Sequence, residues 1–512
     1  MTPDSAAHEQ QHSQLPDEAR RRTADVLVVG AGPTGLLLAS ELLTAGVRAI
    51  TIEARLERGP HARALGIHAR TMEVLALRGL SSSFLREGVK VPAWHFGMLP
   101  NRIDLSGLPT PFPFLLAIPQ TRTEELLQAH AESLGATIER GVRLVGLQEL
   151  EGRLLADVED GSGRYQIEAK YVVGCDGGRS TVRSLGGIDF PGSDADAWGF
   201  LADVEMTRPP APGFGINTSD GAVIVANLPD GRRRVAGWMP GLSRETQLDL
   251  NAITQFTKSL LGDDFGMNSP SWISQFGNDN RLATSYRNGR VILAGDAAHV
   301  HWPTGGVGMN VGLQDAFALG WRLARVAKGQ ADDSLLDGYS RERHSVGEQL
   351  RELTLAQGAL ITAATPEQRG LRDFLNDTVK TTPQFSFNLA MTLSALNVQY
   401  SEPGKNLCVG RRIPSNSSLS TDQLDTLIAL FVPAAPVLIS PAGGTAAIQD
   451  FGVTTHAGLP HQILGDDWLG TRHVLVRPDG YVAWASADWQ LSLEDLTEAL
   501  GTLGWARSTP ER

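Results

Sequence analysis

At 512 residues the chain can fill two or three hydrophobic cores, and its 42% hydrophobic and 20% charged residues are those of an ordinary globular protein. A formal charge of −12 argues against a basic face for phosphates, and so against a nucleic-acid partner. Cys175 and Cys408 are the only cysteines, too few for a disulfide framework or a cysteine zinc site, and they fit a reducing cytoplasm.

Residues 1–22 are polar, lack the apolar run of a secretory signal, and read as a disordered leader. Residues 25–29 (DVLVV) form the β-branched run of a buried parallel strand, followed by GAGPTG, the helical pattern LLLASELLTAG and a second strand, RAITIE. In this strand–turn–helix–strand unit Gly30 permits the tight turn, Gly32 lets the backbone approach a pyrophosphate, and Gly35 allows close helix–strand packing. Glu53, eighteen residues past Gly35, ends the second strand, where it can accept hydrogen bonds from an adenosine ribose and would repel a 2′-phosphate. This motif points to an adenine dinucleotide and does not separate NAD from FAD.

Two later strands end in the same way. Residues 171–180 (YVVGCDGGRS) place Asp176 in a glycine turn, and residues 291–299 (VILAGDAAH) place Asp296 in another. Both can turn toward one crevice at the carboxyl edge of a sheet, as a dinucleotide longer than NAD would need. Between them, residues 186–280 carry alternating strands such as AVIVANL and RRVAGWM, expected to form an antiparallel sheet with one face on the cofactor unit and one solvated. Residues 90–115, rich in proline and aromatics, read as cover over a pocket that Trp94, Phe96, Phe112, Phe114 and Trp238 can line, although core packing explains them equally well. Residues 340–400 read as mostly helical. A change of character near Gly404 opens a last unit with a hairpin turning at Pro478-Asp479-Gly480 and a closing helix, SLEDLTEALGTLG. The apolar stretch 426–439 is too short to cross a membrane and is broken by Pro433 and Pro436.

The three turn motifs, in this order, resemble the single-component flavin-dependent aromatic hydroxylases typified by para-hydroxybenzoate hydroxylase, over about residues 25–347. The fold so implied is α/β: a Rossmann-like FAD-binding domain interleaved with an antiparallel-sheet substrate domain, in a unit spanning residues 23–403. Residues 404–512 resemble the thioredoxin-like domain appended to hydroxylases of large aromatic substrates, here without a C-x-x-C. The resemblance implies that Gly30, Gly32, Gly35 and Glu53 hold the ADP half of FAD, with Arg63 near the flavin and Gln120 touching the cofactor. It also implies that Asp176 serves both FAD and NAD(P)H, and that Asp296 meets the ribityl chain. Pro303, Gly305, Gly306, Gly308, Met309 and Asn310 would then form a loop beside the isoalloxazine ring. Glycines there bring backbone N–H groups close to the ring, and the helix that follows aims its positive end at the N1–C2=O edge.

The activity implied is hydroxylation of a polycyclic phenolic substrate through a flavin C4a-hydroperoxide, with O2 as co-substrate and NADPH or NADH as transient donor, in polyketide or antibiotic biosynthesis. Oxygen insertion of the Baeyer–Villiger type, or an oxidative ring rearrangement, by the same peroxide is the alternative. A halogenase is set aside, because GWMP at 237–240 lacks the second tryptophan of the halogenase signature. An alkene reductase and a silent flavin-binding module remain open. Tyr286, His95 and His301 are the candidate phenol bases. His299 and His301 lie two apart with no further ligand at matching spacing, so no metal is expected, and His299 reads as a turn-packing residue. The expected partners are the small aromatic substrate and O2, without nucleic acid or membrane, in a cytoplasmic enzyme for which a homodimer is one open assembly.

Overall fold

The computed structural model describes residues 21–211, 213–400, 408–413, 419–441, 451–464 and 468–505. The expected leader therefore lies outside the described residues, except that Arg21 and Arg22 depart from it. They open the first strand, Arg21–Val29, and pair with Gln166 and Ile167. Ion pairs of Arg21 with Glu168 and Arg22 with Glu139 extend the strand beyond its apolar run.

Five strands run parallel in the order 291–293, 163–174, 21–29, 49–53 and 137–140. An antiparallel ribbon of Arg143–Leu150 and Arg153–Asp160 pairs onto the long strand Gly163–Gly174. Val26, Leu27 and Val28 are fully buried, as a run with both faces covered requires. The helices Pro33–Thr44 and Gly308–Ala327 pack on the sheet, and their apolar sides join one continuous core with it. The turns at Gly30, Asp176 and Asp296 leave neighbouring strands at one edge of this sheet.

The expected antiparallel sheet has five strands, in the order 215–218, 221–227, 233–238, 198–206 and 267–277. Its second face is not solvated as expected. Phe200, Ala202 and Val204 point to a core shared with Ile253 and Phe256 of the helix Leu250–Leu261, which covers that side. The alternate residues of the same strand face the cofactor unit, where Asp203 holds the Arg234 guanidinium at 2.8 Å and Arg234 donates to the Arg63 carbonyl. Helices Leu335–Ile361, Pro366–Thr381 and Pro383–Leu393 account for the helical stretch.

Near the C-terminus a four-stranded sheet has the order 454–457, 437–440, 473–476, 482–486, with the first pair parallel and the others antiparallel. This is the order and sense of a thioredoxin-like sheet, flanked here by helices Thr421–Phe431 and Leu493–Thr502. Its hairpin turns where expected, with Gly480 at φ 77°. The tip is driven into the first unit. Arg70 donates to the Asp479 carbonyl, Arg78 to the Pro478 carbonyl, and the Asp479 carboxylate accepts from Arg477 and the Trp321 indole. So many satisfied charges in an apolar interior bind the two units into one packed body.

Candidate active site

The first turn is built from close approaches. A Cβ at Gly30 would lie 2.3 Å from the Cys175 carbonyl oxygen, and one at Gly35 would lie 1.9 Å from the Gly30 oxygen. Only glycine lets these two turns and the first helix touch. Gly32 is the exception, since a Cβ there meets nothing within 4 Å. It precedes a helix whose N-terminal N–H groups have no side-chain cap. Space and uncapped donors at one point form an anion cradle, which fits the pyrophosphate of a dinucleotide. Glu53 is fixed beside it, accepting from Ala31 N at 2.9 Å and Arg55 N at 3.0 Å.

The second turn is braced by its own aspartate. The Asp176 carboxylate accepts from Ser180 Oγ, Thr181 N and Val182 N, so both oxygens are occupied in shaping the start of the helix Thr181–Leu185. Asp296 is exposed, and among the described residues its carboxylate takes no hydrogen bond. The Arg63 guanidinium lies near it, over the Phe276 ring and 3.4 Å from the Gln275 carbonyl. Burial lowers its pKa, and Asp296 opposes that shift. Gln120 starts the helix Gln120–Ser133, and its amide donates to Glu124.

Gly305 and Gly306 both take φ near 70°, the left-handed region that glycine favours, and a Cβ at Gly306 meets nothing within 4 Å. Pro303 is exposed at the start of this loop and Met309 is half-buried at its end. Gly308 opens the long helix beneath His301, again with no side-chain cap. Asn310 is buried and spent on the loop itself: its oxygen accepts from His68 N at 2.8 Å, and its amide donates to the Gly66 and Gly306 carbonyls. His68 and Trp94 both donate to the Gly305 carbonyl, at 2.9 and 3.2 Å, which sets the His68 tautomer as Nε2–H. Burial drives the His68 pKa down to about 4, so the ring stays neutral. Behind the loop, Asp315 accepts from Gly295 N, His299 Nε2 and Arg343 Nε, and Arg343 reaches Tyr400. His299 is thus a turn-packing residue. Among the described residues no group of three metal-type side chains forms.

Sequence reasoning missed His68, Asp315 and Arg343. The first lay in a stretch read for Arg63, and the others sat on helices whose inward faces look like ordinary core. Two of the proposed cavity aromatics are core. Phe112 and Phe114 pack edge to face at 6.3 Å inside the main cluster. Trp238 joins Trp302 and Ile361 in a smaller cluster near the loop, and Phe96 packs with Val307 and Val311.

The candidate bases fare unequally. Tyr286 is sealed in the core between His299, Tyr339 and His344, and burial pushes its phenol well above its ordinary pKa, so it does not serve the site. His95 stacks on Trp94 at 4.9 Å, and burial, then Arg102, His68 and Arg372, push its pKa down to about 3. His301 has Nδ1 2.7 Å from the Trp302 carbonyl and is lowered chiefly by burial. Tyr286 and His95 are therefore not bases tuned near neutrality.

The FAD binding domain family matches residues 23–354, and the aromatic-ring hydroxylase C-terminal family matches residues 406–504. An uncharacterized aromatic compound monooxygenase of Bacillus subtilis (strain 168) is 39% identical over 478 residues, covering 90% of this chain and 94% of that one. The 12-dehydrotetracycline 5-monooxygenase/anhydrotetracycline 6-monooxygenase of Streptomyces rimosus is 36% identical over 496 residues, covering 93% and 98%. Among solved structures, an anhydrotetracycline hydroxylase from Streptomyces rimosus superimposes with a TM-score of 0.84 at 34% identity, covering 95% of this chain and all of that one. With cradle, loop and kinship in agreement, the chain belongs to the FAD-binding aromatic-ring hydroxylases and is an FAD-dependent monooxygenase.

Proposed function

We propose that this enzyme hydroxylates a polycyclic phenolic substrate of the polyketide kind, at the cleft between the 303–310 loop and the antiparallel sheet. The observation that carries the reading is the packing of the Gly295 turn and the helix Gly308–Ala327 against Thr34, two residues past the Gly32 cradle, with the Gly305–Gly306 turn just ahead of that helix and Trp94, Trp238 and Trp302 beside it. When bound, FAD supplies the site at which electrons from NAD(P)H are stored and O2 is activated.

The chain's own part is binding, orientation and exclusion of water. Gly30 and Gly35 let turn and helix touch, so that Gly32 would bring backbone N–H groups to the pyrophosphate, while Glu53 would receive the ribose and Asp296 would meet the ribityl hydroxyls. His68 and Trp94 hold the Gly305 peptide rigid, so that the loop presents its N–H groups and the positive end of the helix Gly308–Ala327 in a fixed direction. No side chain is assigned as phenol base. Asp176 would serve both FAD and NAD(P)H, Gln120 would touch the cofactor, and Arg63 would lie near the flavin.

We further infer a single monooxygenase unit over residues 23–403 and a terminal unit over 404–512 that is structural, working in the cytoplasm without nucleic acid or membrane, with a homodimer as the assembly to test by sedimentation. The decisive experiment incubates the purified yellow protein with NADPH or NADH and a panel of phenols, following oxygen uptake and product mass. Substrate-stimulated oxygen uptake with gain of one oxygen atom supports the reading. Donor oxidation that no polycyclic phenol stimulates overturns it.

A further inference from the structure

Unmet hydrogen bonds gather where the 302–306 loop meets the helix Leu335–Ile361. Among the described residues Gln357 Nε2, Trp302 Nε1, Thr304 Oγ1 and Asn280 Oδ1 are buried without a partner. Each such group costs about 1–3 kcal/mol if nothing satisfies it. Their positions are pinned. The Gln357 oxygen accepts from Gly97 N at 3.3 Å, which leaves its N–H2 as the free end, wedged 3.0 Å from the place a Gly305 Cβ would take. The Trp302 ring lies against Gly358, the next residue, at 3.3 Å from its would-be Cβ. Asn280 donates to the Arg351 carbonyl and to Thr354 Oγ1, one helical turn before Gln357, so its oxygen is the free end. The surroundings of Trp302 are flat and apolar: Trp238, Ile361, Phe276 and Met98.

Two orphans can only donate, so what they lack is an acceptor. We propose that Gln357 and Trp302 are specificity-determining donors that receive a ring carbonyl oxygen of the substrate, with Asn280 taking a neighbouring hydroxyl. This deepens the polycyclic-phenol reading and rests on it. The neutral donors suit an uncharged quinone-type oxygen, and the apolar walls suit the fused rings that carry it.

The test uses the FAD-loaded enzyme, with 1,8-dihydroxyanthraquinone and 1,8-dihydroxyanthracene as probes and dissociation constants read from the perturbed flavin absorbance. Gln357→Leu and Trp302→Phe keep bulk and remove one N–H each. Both are expected to weaken anthraquinone binding about tenfold, to change anthracene binding less than twofold, and to retain full flavin content. Equal losses for both probes, or none for either, overturn the carbonyl assignment while leaving the polycyclic reading standing. Wild-type enzyme that binds neither probe overturns both.

Discussion

Gly32 and Gly35 lie three residues apart in one motif, yet the structure gives them opposite consequences when replaced by alanine. At Gly32 the backbone has φ −78° and an added methyl group meets no protein atom within 4 Å. The cost to the fold is that of alanine in place of glycine at a helix N-cap, about 0.5–1 kcal/mol, or about 1–2 °C in Tm. The same methyl fills the space reserved for the pyrophosphate and displaces one or two charge-assisted N–H bonds, each worth about 1.5–3 kcal/mol, so FAD should bind at least about tenfold more weakly. At Gly35 the methyl would sit 1.9 Å from the Gly30 carbonyl oxygen, a backbone atom that cannot swing aside. Overpacking of this kind costs about 3 kcal/mol or more and should lower Tm by about 6 °C even without cofactor. Titrating deflavinated protein with FAD by fluorescence quenching, beside thermal melts of the same samples, separates the two effects. A Gly32→Ala protein with native FAD affinity, or a Gly35→Ala apoprotein as stable as wild type, would refute the reasoning.

Three further outcomes are expected. Asp296→Ala should purify largely colourless yet folded, and full flavin occupancy would remove Asp296 from the cofactor site. Asp479→Asn strands part of the Arg477 and Arg322 charge in the interior and should cost about 3–5 kcal/mol in denaturant unfolding. Because Arg477 holds the Asp479 pKa down to about 2 against burial, that stability is present above the ordinary carboxylate range and fades as pH falls toward 2, so the wild-type and variant curves should converge in acid. His68 is depressed to about 4 from an unfolded value near 6.5, so the unfolded chain binds the extra proton between those limits. Stability should therefore fall as pH drops from 6.5 toward 4, by up to about 1.4 kcal/mol per pH unit for this site, and His68→Gln should flatten that slope; parallel curves would show that the ring is not held neutral.

The sequence by itself determined the cofactor edge, because each of its turns is a local device. A β-branched strand, a glycine where φ must be positive or a backbone must approach, and an acid at a strand end are written in consecutive residues such as 25–35 and 291–296. The hairpin at 478–480 was legible for the same reason. Tertiary structure alone decided which polar side chains face the ligand and which support the walls. Asp176 and Asn310 carry motif positions and also brace their own turns, Asp176 by accepting from the Ser180 hydroxyl and two backbone N–H groups and Asn310 by accepting from the His68 N–H. Phe112 and Phe114 went to the core, and Tyr286 was sealed away from the site. His68, Asp315, Arg343 and Gln357 gain their meaning from partners more than ten residues distant. Helical spacing tells which face a side chain takes, but not what it meets there. Hydrogen-bond satisfaction in a buried site is a property of the whole packing, and only the folded chain shows which donors remain without an acceptor.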